Sequence, residues 1–158
     1  MDSSRPTDDD SKQGWGLQLY TVPPGPTLTP LSFPAAALVG TSQSVAIISF
    51  DSANDFRRFI PKCPDVNYAW RFYGQTPIVT SGDYTFCMTS DDGSLLYMDL
   101  TPSDDLSLSL LIDNDGLHGG RQYCRTLNLA AGAYLTKVRI RIHSSFLLIG
   151  YKRDIHYS

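Results

Sequence analysis

Hydrophobic and polar residues alternate through most of the second half of the chain. Over 133–143, AYLTKVRIRIH, one face carries Tyr134, Thr136, Val138, Ile140 and Ile142, and the other carries Lys137, Arg139, Arg141 and His143. Alternation of period two describes a half-buried antiparallel strand with one wet side. Over 83–89, DYTFCMT, the residues Tyr84, Phe86 and Met88 alternate with Thr85, Cys87 and Thr89 and predict another. FLLIGY (146–151) is apolar on both faces, so it predicts a strand covered on both sides. SLLYMD (94–99) and SLSLLID (107–113) predict shorter strands joined by polar LTPSDDL, and LQLYTV (17–22) and VAIISFD (45–51) predict two earlier ones. The prolines of PPGPTLTPLSFP (23–34) remove ladder donors, which makes that stretch a long surface loop. A single short helix is predicted over 52–60, with Ser52 as its cap and Pro61 beyond its end. Strands separated by Gly, Pro and Asp turns, with at most one short helix, define an all-β antiparallel sandwich or barrel. Its expected core is Tyr84, Phe86, Met88, Val138, Ile140 and Ile142.

Composition narrows the possibilities. At 158 residues the chain is expected to form one domain over 15–158, after a polar, acidic lead-in at 1–14 that cannot bury enough surface to offset its ordering entropy. A formal charge of −3 argues against nucleic acid as a partner, because phosphate binding needs a basic face. No apolar run approaches a membrane span; SFPAAALVG (32–40) is too short and contains Pro34. The N-terminus lacks the basic and apolar regions of a signal peptide, so the expectation is either a cytosolic chain or one whose leader has been removed.

Of the three cysteines, Cys87 lies in a predicted apolar strand, where a buried free thiol is the ordinary reading. A Cys63–Cys124 or a Cys87–Cys124 bridge is also compatible with the sequence. No zinc-ligand spacing is present. Catalytic motifs are missing as well: there is no nucleophile elbow, no zincin helix and no phosphate-binding glycine loop. His118, His143 and His156 fall in or beside predicted loops and read as solvated imidazoles. The acidic stretch LIDNDGLHG (111–119) fails as an EF-hand, since Gly116 at the sixth position would put Leu111 first and Gln122 twelfth. It reads instead as a strand end and a turn. The basic stripe Lys137, Arg139, Arg141 reads as the solvated face of an outer strand.

The sequence SDDGS (90–94) offers two readings. Asp-Gly between apolar runs is a strong hairpin signal, and two adjacent carboxylates are also a candidate cation site. GDYTFCMTSDDGSLLYMD, LLIDNDGLHG and LNLAAGAYLTKVRIRI, in that order and spacing, resemble the protective-antigen-type (PA-fourteen) domain family. The matching positions are Gly82, Tyr84 and Phe86; Ser90 to Ser94; Ile112 to Asn114; Gly116 to Gly119; and Gly132 with Tyr134, within a resemblance running from about Trp70 to Tyr151. The resemblance implies a β-sandwich, an extracellular or cell-surface setting and no catalysis in this domain. In carbohydrate-binding members the two aspartates are joined by a cis peptide bond and hold a calcium ion that binds vicinal sugar hydroxyls. It therefore implies Asp91 and Asp92 as calcium ligands, with a carbohydrate or glycoprotein as partner. The second loop of such a site corresponds to His143, Ser144 and Ser145, which carry no carboxylate or amide and would supply hydroxyl and carbonyl oxygen only. A site of this kind requires both aspartates and the His143–Ser145 loop to face solvent. The alternative is a structural or protein-interaction subunit of a larger assembly that uses the same fold without a sugar.

Overall fold

In the computed structural model, residues 14–23, 37–45, 48–100, 108–142 and 149–156 are described, except for the side chains of 43–45, 142 and 149–156. The strands, in chain order, are β1 (Trp15–Thr21), β2 (Leu38–Val45), β3 (Ser49–Phe50), β4 (Tyr68–Ile78), β5 (Gly82–Ser90), β6 (Ser94–Met98), β7 (Ser109–Asn114), β8 (Arg121–Leu129), β9 (Gly132–Ile142) and β10 (Ile149–His156). A single short helix, α1 (Ala53–Arg57), lies between β3 and β4. All pairings are antiparallel and build two sheets, β2-β1-β4-β9-β6-β7 and β3-β10-β5-β8. The protein is an all-β sandwich, as the alternation predicts.

The inward faces are those of the period-two pattern. Tyr84, Phe86 and Met88 of β5 and Val138 and Ile140 of β9 are buried in one cluster. Ile142 lies in β9, but its side chain is outside the described residues. The β4–β9 register sets Trp70 opposite Ile140 and Phe72 opposite Val138, so the two longest strands meet along a continuous apolar face. The short helix adds to this core from one side. Its Phe56 stacks between Phe50 and Trp70, with centroids 4.2 and 4.1 Å away, and Asp55 accepts the Ser52 backbone N–H at 3.1 Å to hold the first turn. The predicted span of 52–60 is thus longer than the helix that forms.

Several expectations are corrected. β4 and β8 are strands without a clean alternation, and β2, LVGTSQSV, is a polar strand that pairs with β1 where no strand was expected. Of VAIISFD, Val45 ends β2, and only Ser49 and Phe50 form β3. The basic stripe is not on an outer strand: β9 is flanked by β4 and β6, Lys137 and Arg139 are half-buried, and Arg141 is only 2% exposed. Cys87 is not a free thiol. The β5–β8 register puts it opposite Cys124, to which it is disulfide-bonded, and Cys63 is the buried free cysteine. Residues 1–13, most of the proline-rich stretch, and 101–107 lie outside the described residues, as do the readings made of them.

Candidate functional site

The Asp91–Asp92–Gly93 segment is not a hairpin. β5 belongs to the four-stranded sheet and β6 to the six-stranded one, so the turn carries the chain from one sheet to the other. Crossing between layers in three residues demands a sharp bend, and Asp92 takes left-handed backbone at φ 71° to make it.

What holds the turn is a set of buried polar side chains at its base. Ser90, Ser94 and Asn114 are each fully buried. Ser90 Oγ donates to the Asp92 carbonyl at 2.8 Å and lies 2.8 Å from Ser94 Oγ. The Asn114 amide nitrogen approaches Ser90 Oγ at 3.0 Å, and Ser94 Oγ and the Arg121 carbonyl at 3.3 Å each. Its amide oxygen accepts from Arg121 Nε at 2.6 Å. The end of β5, the start of β6, the end of β7 and the start of β8 are therefore bound at one point. Buried polar groups satisfied in this way rigidify the segments they join.

The neighbouring turn, Asp115–Gly119, closes on the same place. The Asp92 N–H donates to the His118 carbonyl at 2.9 Å, which fastens one turn to the other. The His118 ring lies between two carbonyls, Nδ1 at 2.8 Å from Gly119 and Nε2 at 3.0 Å from Asn114; a neutral ring donates to one of these at a time. Asp115 Oδ1 accepts the Gly116 N–H at 2.9 Å and would lie 2.5 Å from a Cβ on Gly93, so any side chain there would displace that carboxylate. Asp113 and Asp115 belong to the stretch that failed as an EF-hand. The strand end and turn predicted there are present, and their contact with SDDGS depends on β7 and β6 being neighbours.

The two predicted calcium ligands differ in exposure. Asp91 is half-buried, whereas Asp92 is only 7% exposed, contrary to the expectation that both face solvent. Its backbone is engaged on both sides by Ser90 and His118, which draws the residue inward. Burial pushes the Asp91 carboxyl up, and the Asp92 carboxylate beside it adds to the shift, while His118 opposes it. His143, Ser144 and Ser145 lie outside the described residues. Among the described residues no group of three or more His, Cys, Asp or Glu side chains is arranged to hold a metal ion. The chemistry of the two adjacent carboxylates suits a hard cation, which takes six to eight oxygen ligands and so needs more than these two side chains.

A two-sheet antiparallel sandwich with an aspartate-rich crossover turn at one end is the class of protein defined here. No family model matches the chain, and no characterised protein matches it in sequence. Solved structures do match in fold. The A domain of epithelial adhesin 6 from Candida glabrata, in complex with Galb1-3GlcNAc, is 15% identical with a TM-score of 0.67, over 93% of this chain and 81% of that one. The PA14 domain of the antifreeze protein MpAFP is 10% identical with a TM-score of 0.64, over 90% and 82%. A family 31 α-xylosidase from Xanthomonas citri is 13% identical with a TM-score of 0.64; 90% of this chain matches, and it spans only 14% of the enzyme. The fold is PA-fourteen-like.

Proposed function

We propose that this chain is a non-catalytic carbohydrate-binding module whose site is the Asp91–Asp92–Gly93 turn, with calcium held by the Asp91 and Asp92 carboxylates. The observation that carries the reading is the way the turn is built. Two adjacent carboxylates sit on a crossover whose backbone is fastened by Ser90 and His118, with the Ser90 hydroxyl held in turn by Asn114. A rigid turn loses little entropy when it binds an ion or a hydroxyl pair, which is what pre-organisation means for affinity. Likeness in fold to a sugar-bound adhesin domain supports the same reading. When bound, the ion supplies a hard Lewis-acidic centre for vicinal hydroxyls. The protein's own part is to hold the two carboxylates in place, with hydroxyl or carbonyl oxygen from His143, Ser144 and Ser145 completing the site.

Calorimetric titration of calcium, followed by a panel of mono- and disaccharides with and without chelator, tests it. Saccharide binding that needs calcium and is lost in Asp91→Asn is the expected result. Absence of binding to every saccharide in the presence of calcium refutes it. A second reading, an interaction module within a larger assembly, is favoured by the α-xylosidase likeness, where the matched part is a small fraction of a longer chain.

A further inference from the structure

A cation already stands at the turn. Arg141 lies on the side of β9 that faces away from the inter-sheet core, yet it is 2% exposed, and a buried guanidinium is costly unless it is paired. Its surroundings supply the pairing. Its backbone N–H donates to the Gly93 carbonyl at 2.9 Å, which seats the residue directly beside the crossover turn. Its Nη2 donates to the Pro23 carbonyl. Gly93 adjoins the buried Asp92, and Asp115 Oδ1 lies against it, so the turn that receives the Arg141 N–H carries both of these carboxylates. Both favour the charged guanidinium against the cost of its burial. Arginine keeps its charge across the working range of pH, so this cation is permanent.

We propose that Arg141 is the resident counter-cation of the Asp91–Asp92–Gly93 turn, shared between Asp115 and Asp92, and competes with calcium for the Asp92 carboxylate, thereby setting the affinity of the ion. The proposal rests on the reading of that turn as a calcium site and adds the residue that tunes it. Its physical content is direct. A carboxylate already neutralised by a guanidinium attracts a second cation less, and the guanidinium itself repels a doubly charged ion. In a partly buried site, a unit charge several ångströms from a divalent ion alters its affinity by about tenfold or more.

The test is calcium titration of wild type, Arg141→Gln and Arg141→Lys, read by calorimetry and by the calcium-dependent rise in melting temperature. Arg141→Gln keeps a donor for the Pro23 carbonyl and removes the charge; it is expected to bind calcium at least about tenfold more tightly than wild type. In chelator it should melt below wild type, since the buried Asp92 and the half-buried Asp115 have lost a counter-charge, and calcium should recover the difference. Arg141→Lys keeps the charge and is expected to stay within about twofold of wild type. Should Arg141→Gln fail to fold, Asp115→Asn probes the same balance. Asp92 then becomes the sole carboxylate facing Arg141, so calcium is expected to bind at least about threefold more weakly.

Equal calcium affinity in wild type and Arg141→Gln, or a gain shared by Arg141→Lys, overturns the role of Arg141 even if wild type binds calcium and saccharide. Unchanged affinity in Asp115→Asn overturns it as well. The reading of the turn as a carbohydrate site fails separately, through the loss of saccharide binding in wild type. Calcium binding by Arg141→Gln where wild type shows none is the strongest supporting result.

Discussion

Asn114→Ala is the sharpest test of how the site is held. The side chain is fully buried, and its carboxamide touches residues from both sheets at the base of the turn. Its removal takes away an acceptor from Arg121 Nε, which now stands 2.6 Å from it. A hydrogen bond to a charged donor contributes about 1.5–3 kcal/mol net, and the lower end applies because Arg121 is only half-buried and water can replace the acceptor. The amide nitrogen has two hydrogens for three acceptors, so two further neutral bonds are lost at about 1 kcal/mol each. The expected destabilisation is about 3–4 kcal/mol, a large part of the stability of a domain this size. Urea unfolding with linear extrapolation measures it, with the slope expected to stay at the wild-type value. Asn128→Ala is the control: its amide donates to Asp83 at 2.7 Å on an exposed face, and its loss should cost less than about 0.5 kcal/mol. If Asn114→Ala costs less than about 1 kcal/mol, the polar cluster is not what fixes the turn.

Phe86, fully buried between the sheets, should cost about 3–5 kcal/mol on truncation to Ala; a value near that of a surface substitution would contradict the packing. The folded protein holds the Asp91 proton to higher pH than the unfolded chain does. This group's contribution to stability is therefore highest in acid and falls as pH rises from its ordinary value of 3.8 through the raised one. Melting in chelator should accordingly show wild type losing ground to Asp91→Asn as pH increases from about 3 to about 6, and a constant difference would refute the shift. Burial pushes the Cys63 thiol up to about 11, so native protein should resist alkylation at neutral pH. In denaturant without reductant a single thiol per chain should react, and two or more would be inconsistent with the Cys87–Cys124 bridge.

The sequence alone determined the class of fold and the inner faces of β5 and β9, because alternation is a local property: successive side chains on a strand point to opposite sides whatever the partner. It also marked SDDGS as a special turn. What it could not determine is which strands become neighbours. β2, β4 and β8 carry no clean alternation, since strand identity there is settled by pairing with β1, β9 and β5 and not by their own pattern.

Only the tertiary structure decided that Asp-Gly crosses between sheets instead of closing a hairpin, that Cys87 meets Cys124, and that Asp115 and Arg141 stand beside the aspartate pair. Arg141 shows the reason most plainly. Period two correctly turns it away from the inter-sheet core, and on that ground it reads as wet. Its burial follows from what covers the outer face of β9 at the Gly93 turn and at Pro23, and Pro23 lies more than a hundred residues away in the chain. Solvent exposure and electrostatic partnership belong to such long-range contacts, so they appear only when the chain is folded.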